Sequence, residues 1–347
     1  MAQPGFFDLD RRLEAISAKG DALETIKATV PWEDFRAEIE AATARKAEER
    51  KSSAGRKPYD AMLKFKVVVL QSLYNLSDEQ IEAMIRDRLS FMRFLDLGLA
   101  DAVPDATTIW LFREALVEAG LIDKLFERFG QHLQARGYIA RGGQIVDATI
   151  VSAPRQHNTK EENETIKNGG TPKDWEKKPA KLAQKDLDAR WTKKNEESFY
   201  GYKNHVGVDK AHKLIRTWDA TDAAVHDSQK LDDILDPLNT AKDVWADSAY
   251  RSAAIEQRLK EQGLSSRIHR RGARNHPLSA TQKAANTTRS KVRARVEHVF
   301  GHQENSMGRK IVRTIGFARA RFKIGMMNLG YNIRRLVQIE RAAAAPA

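Results

Sequence analysis

Between Gly142 and Ala153 the chain reads GGQIVDATIVSA, a short, β-branched and almost uninterrupted apolar run with an aspartate at its centre. Such a run is the pattern of a strand buried on both faces, and a two-sided strand requires other layers of structure above and below it. A carboxylate in that setting costs several kcal/mol unless a cation or hydrogen-bond donors compensate it. Asp147 is therefore the first residue from which a function is expected.

Upstream of this run the spacing is helical. Residues 1–56 are charged and Ala/Glu/Lys-rich, with Phe35 and Ile39 at helical spacing, and they close in the polar stretch RKAEERKSSAGRKP, which reads as a linker. Over residues 57–140, Met62, Phe65, Val69, Leu73 and Leu76 mark one face of a helix, and Ser77 with Gln80 forms a capping box for a second. Asp105 caps a third helix that Gly120 closes, and a fourth runs from about Ile122 to Arg136. This part is expected to be all-helical.

Downstream, FYGYKNHVGVD and KLIRTWDATDA read as two more strands that complete a three-stranded meander. HDSQKLDDILDPL reads as a helix, DVWADSAY as a strand entering a turn, AAIEQRLKEQG as a helix, SSRIHR as a strand and KVRARVEHVFG as a helix. The order β-β-β-α-β-α-β-α is that of a ribonuclease H-like α/β domain, a mixed sheet with helices on both faces, over residues 141–340. Residues 155–198, rich in Lys, Glu and Asn with scattered Trp175 and Trp191, read as a polar insertion outside the core. The Ala-rich tail after Arg341 is expected to fray.

Two further acids join Asp147. Asp247 follows Val244, Trp245 and Ala246, and Ser248 to Tyr250 then turn the chain away. Glu297 sits on a helix whose apolar positions Val292, Val296, Val299 and Phe300 place it at the margin of the buried face. Taken singly, either aspartate also suits a cap for a following turn, and Glu297 also suits a surface pair with Arg293 four residues before it. Taken together, three carboxylates on two strands and a helix of one such domain can hold two divalent ions about 4 Å apart. Hard oxygen donors in a chain without cysteine favour Mg2+ or Mn2+ over zinc.

Charge points the same way. The chain has 347 residues, enough for two domains, and a formal net charge of +12. From Ser265 onward there are 18 Lys and Arg against 3 Asp and Glu, which leaves 41 against 44 for everything before. A basic excess concentrated in one quarter of a chain attracts polyphosphate through counterion release; a ribosome-like RNA binder or a solvated basic face fits the same charge. The absence of cysteine excludes disulfides and thiol nucleophiles. No apolar run approaches the roughly 18 residues that cross a bilayer, and the opening MAQPGFFDLDRRLEAI lacks the order of a secretory signal, so a cytoplasmic location without a membrane partner is expected.

The segments IVDATIVSAP, YGYKNHVGVD, VWADSAYRS and RARVEHVFG resemble the blocks of bacterial insertion-sequence transposases of the insertion sequence five family. GRKPYDAMLKFKVVVLQSLYNLSDEQIEAMIRDRLSFMRFLDL and PDATTIWLFREAL resemble that family's N-terminal domain, so the likeness runs from about Gly55 to Leu336. The resemblance implies that Asp147, Asp247 and Glu297 are the DDE metal ligands and that Arg293 is the arginine preceding the glutamate in the third motif. It departs at Ser290, where a tyrosine is often found, and at Glu304, where a lysine or arginine is; those positions are linked with handling the element's ends.

The expected activity is metal-dependent cleavage at transposon ends followed by strand transfer into target DNA. The expected partners are terminal inverted repeats, target DNA and at least one further copy of the chain, in a bacterial, nucleoid-associated setting. Candidate DNA contacts are Arg251, Arg267, Arg270, Arg271, Arg274, Lys291, Arg293 and Arg295 from the basic region, with Lys203 and His205 alternating on the strand beside the acidic one. The helix beginning near Asp78 suits either a DNA-reading helix or a packing and dimerisation role, and its acidic character weighs against the first. A nuclease that cuts without rejoining, a non-catalytic or decayed DNA-binding protein and an RNA-binding structural protein are the competing functions.

Overall fold

A computed structural model describes residues 5, 7–44, 58–273, 276–308 and 310–344. The expected linker, apart from Pro58, and the candidate contact Arg274 lie outside the described residues. The chain divides into two compact units, one of residues 1–132 with 329–347 and the other of residues 133–328. No helix among the described residues is long and apolar enough to cross a membrane.

The first unit is helical, with α1 (Asp8–Ala18), α2 (Ala22–Thr29), α3 (Arg36–Thr43), α4 (Ala61–Tyr74), α5 (Asp78–Asp87), α6 (Leu89–Phe94), α7 (Ala106–Glu118) and most of α8 (Ile122–Ala135). The capping box of Ser77 and Gln80 opens α5, and Asp105 caps α7 by accepting the Thr108 N–H, both as expected. The N-terminal segment is part of this core: Phe35 and Ile39 are buried, and Trp32 packs edge-on against Phe65 and Phe94. Asp78, at the start of α5, is taken up by both guanidinium nitrogens of Arg113, at 2.5 and 2.9 Å. The exposed surface of α5 carries Glu79 and Asp87 against Arg86, an unfavourable charge for a helix reading DNA.

The second unit is built on a mixed sheet. Its elements are β1 (Gln144–Ser152), α9 (Lys160–Lys167), α10 (Lys173–Glu176), α11 (Pro179–Leu182), β2 (Arg190–Lys194), β3 (Glu197–Asp209), β4 (Ile215–Asp222), β5 (Asp243–Trp245), α12 (Ala253–Glu261), β6 (Ser265–Ser266), α13 (Ala280–Asn305) and the first part of α14 (Phe317–Ala344). Strands β1, β3 and β4 form the antiparallel meander, and β5 and β6 continue the sheet from β1 in parallel. Gly143 permits the β1–β5 seam. It has φ +91°, and a Cβ there would lie 2.4 Å from the Trp245 ring.

Three expectations need correction. HDSQKLDDILDPL forms two short 3-10 turns, Asp227–Lys230 and Asp232–Ile234, because Pro237 disfavours helical geometry just before it and Leu235 is already extended. The insertion has a small core of its own, in which Trp175 is fully buried, donates to Glu162 Oε1 at 2.6 Å and lies beneath Lys181 and Lys185. It also contributes β2, whose Arg190 pairs with Gly201 on the side of β3 opposite to Ser152 of β1. Finally, α14 carries the Ala-rich tail in helical form through Ala344.

Candidate active site

The β1–β5 register brings two of the three acids together. Gln144 pairs with Val244 and Ile145 with Trp245, and the same offset carried two residues further sets Asp147 beside Asp247, whose backbone is still extended. Alternation along each strand then turns Ile145, Asp147, Trp245 and Asp247 to one face. Val146, Val244 and Ala246 turn to the other, where they pack with Ile255 and Leu259 of α12.

One oxygen of each aspartate is anchored by backbone. Asp147 Oδ1 accepts the Ala148 N–H at 2.8 Å, and Asp247 Oδ1 accepts the Ala249 N–H at 2.8 Å, capping the Ser248–Tyr250 turn. Asp147 Oδ2 receives Arg293 Nη2 of α13 at 2.9 Å, with both side chains largely buried. Burial pushes the Asp147 carboxyl above the usual carboxylate range, the Arg293 charge and the Ala148 N–H oppose that, and the neighbouring Asp247 adds to it.

Glu297 is exposed, one turn beyond Arg293. The buried stripe of α13 runs through Val296, Val299 and Gln303; with 3.6 residues per turn, Glu297 falls about 125° from its middle. Among the described residues no three His, Asp or Glu side chains converge closely enough to hold a metal ion. The structure thus joins Asp147, Asp247 and Arg293 and leaves Glu297 apart. The pair of aspartates fits a hard divalent cation: its donors are carboxylate oxygens, and the buried charge of Asp147 already requires a cation beside it.

Several neighbours escaped the sequence reading. The buried Tyr250 hydroxyl has no hydrogen-bond partner among the described residues. Burial, followed by the negative charges of Asp147, Asp227 and Asp247, pushes its phenol well above the ordinary tyrosine value. His269 lies near Arg293 and Asp247, and burial together with Arg293 and Arg289 lowers its pKa. Lys310 Nζ reaches Thr149 Oγ1 on β1 at 3.0 Å and lies 3.6 Å from Glu304. The DSAY turn and the SRIHR segment were the available signals for Tyr250 and His269, whereas Lys310 is placed by tertiary packing alone.

The other candidates are dispersed. Arg270, Arg271 and Lys291 are exposed. Arg251 pairs with Glu256 at 3.2 Å, Arg267 pairs with Asp243 at 2.9 Å, and Arg295 donates to the Lys210 carbonyl. Lys203 is satisfied internally by the Val225 carbonyl and Asp227. His205 cannot contact DNA in this fold. It pairs with Ala148 and so occupies the face opposite to Asp147, it is fully buried, and it shares a hydrogen bond with Thr221 Oγ1 at 2.9 Å. Burial lowers its pKa to about 4, so it is neutral at physiological pH.

A buried amide cluster holds α13 in place. Asn328 Oδ1 of α14 accepts from Asn204 Nδ2 of β3 at 2.8 Å and from Gln303 Nε2 of α13 at 2.9 Å, and Asn328 Nδ2 donates to Asn204 Oδ1 at 3.0 Å.

Residues 140–333 match the family model of the transposase DDE domain, and residues 11–115 match that of a transposase domain (DUF772). Among solved structures, the chain is similar to the piggyBac transposase in its synaptic complex with hairpin DNA. The identity is 12% over 93% of this chain and 76% of that one, with a TM-score of 0.47. Because the DDE-domain match takes in more than half of the sequence, the chain belongs to the DDE-domain family of DNA transposases.

Proposed function

We propose that this transposase is of the insertion sequence five type and that residues 141–340 are its ribonuclease H-like catalytic domain. On this reading it cuts at the ends of its own mobile element and joins the freed 3′-hydroxyl to target DNA. Asp147, Asp247 and Glu297 are the ligands for two Mg2+ or Mn2+ ions, with Glu297 joining the aspartates when DNA is bound. When bound, such ions activate the attacking oxygen and stabilise the leaving oxygen of an in-line phosphodiester displacement. The chain's own part is to fix one carboxylate on β1 and one just past the end of β5, keep one oxygen of each on a backbone N–H, and carry DNA on the exposed Arg270, Arg271 and Lys291. Residues 57–140 serve DNA binding or dimerisation, at least two copies act together on DNA, and the work takes place at the bacterial nucleoid.

The observation that carries this reading is that the parallel β1–β5 register leads Asp247, two residues past the end of β5, to the side of Asp147, with a cationic group already on Asp147. The test is cleavage of duplexes carrying the inverted repeats that flank the reading frame, with Mg2+ or Mn2+. Asp147→Asn is expected to lose about a thousandfold or more in rate, equivalent to roughly 4 kcal/mol, while binding the same duplex. Unchanged cleavage removes Asp147 from the chemistry.

A further inference from the structure

Arg293 meets the buried Asp147 carboxylate through a single nitrogen, Nη2, at 2.9 Å. The contact is not the two-pronged one that makes arginine–carboxylate pairs strong. The Arg293 Nε is also buried without a hydrogen-bond partner among the described residues, so the guanidinium is desolvated but incompletely satisfied, and such a pair is weakly held relative to the burial it costs. Asp147 shares a face with Asp247, and a guanidinium and a divalent cation held against the same buried carboxylate repel each other across a medium that screens them poorly. Glu297, one turn along the same helix, remains in solvent while Arg293 is engaged.

We propose that Arg293 is the built-in counter-cation of Asp147 and that a divalent ion enters by displacing it, so that metal binding and release of the arginine are one exchange. Arg293 is thus a positioning residue that sets metal affinity through Asp147; once freed, its guanidinium is available to a DNA phosphate. This inference rests on Asp147 being a metal ligand.

The experiment uses the full chain, stripped with chelator and titrated with Mn2+ in the absence of DNA, with free Mn2+ read by electron paramagnetic resonance. Arg293→Gln is expected to bind Mn2+ about tenfold more tightly than wild type, Arg293→Lys to stay near wild type, and Asp147→Asn to lose the site. In the wild-type chain, Mn2+ is expected to raise the rate at which phenylglyoxal modifies Arg293 several-fold, read by peptide mass spectrometry against the exposed Arg271 as internal control. In Asp147→Asn that reactivity is expected to be high without metal.

If Arg293→Gln binds Mn2+ no more tightly than wild type while Asp147→Asn abolishes binding, the counter-cation role is wrong and the ligand assignment survives. If Asp147→Asn binds like wild type, the ligand assignment itself falls and takes the exchange with it. Should Arg293→Gln fail to fold, the wild-type modification rate decides, and a rate unmoved by Mn2+ overturns the proposal.

Discussion

Replacing Asn328 by leucine tests what keeps α13, and with it Arg293 and Glu297, in position over the sheet. The three amides of Asn204, Gln303 and Asn328 are all fully buried. Leucine keeps the branched shape of asparagine but removes both hydrogen bonds of Asn204 and the acceptor of Gln303. Three buried polar groups are then orphaned at about 1–3 kcal/mol each, against a gain of roughly 2 kcal/mol from burying the leucine methyls. The net loss is about 3–4 kcal/mol. The chain has two compact units, so a local readout is preferable to a global melt. Hydrogen–deuterium exchange of peptides covering 280–305 should accelerate roughly a hundredfold or more, since each 1.4 kcal/mol is a factor of ten. Peptides of α5 and α7 should be unchanged. An acceleration below about fivefold would refute the reasoning, because it would mean the amides find other partners when Asn328 is gone.

Three further outcomes are expected. In chelator, Asp147→Asn should raise thermal stability at neutral pH. A carboxyl whose pKa is raised in the folded state favours folding when protonated and loses that benefit as pH rises through the raised value. The advantage of the asparagine variant should therefore shrink as pH is lowered through that value, and a constant difference across pH would contradict the burial argument. Trp175→Ala should cost the insertion about 3–5 kcal/mol and open residues 155–190 to limited proteolysis while the sheet stays resistant; equal protection in both proteins would mean the tryptophan core is dispensable. Alanine at Arg270, Arg271 or Lys291 should weaken DNA binding equally for any sequence and lower the slope of log affinity against log salt by about one each, and an unchanged slope would remove that residue from the phosphate contacts.

Features set by local chemistry are legible in the sequence itself. Ser77 and Gln80 sit three apart before an apolar face, and the capping box forms there. Asp147 stands out because a charge inside a β-branched run is costly wherever it occurs, and it proves to be paired. What escapes depends on partners distant in the chain. Period-two alternation correctly puts Lys203 and His205 on a common face, but which face follows from the pairing of His205 with Ala148, more than 50 residues earlier. Trp175 lies in a stretch polar enough to pass for solvent-exposed chain, and its burial depends on Glu162 and two lysine stems. Asn204, Gln303 and Asn328 each look ordinary in their own segment, and their importance exists only where three elements meet.

The segment between β1 and β2 leaves the sheet at Ser152 and rejoins it at Arg190, both opposite Gly201, so its two ends are anchored about two strand spacings, or roughly 10 Å, apart. Closing a loop over so short a gap grows more expensive only with the logarithm of its length. The segment is accordingly a graft site: a fluorescent reporter or a foreign binding module spliced near Gln184 would be carried as a pendant, while the aspartates keep their spacing on strands whose pairing does not pass through it.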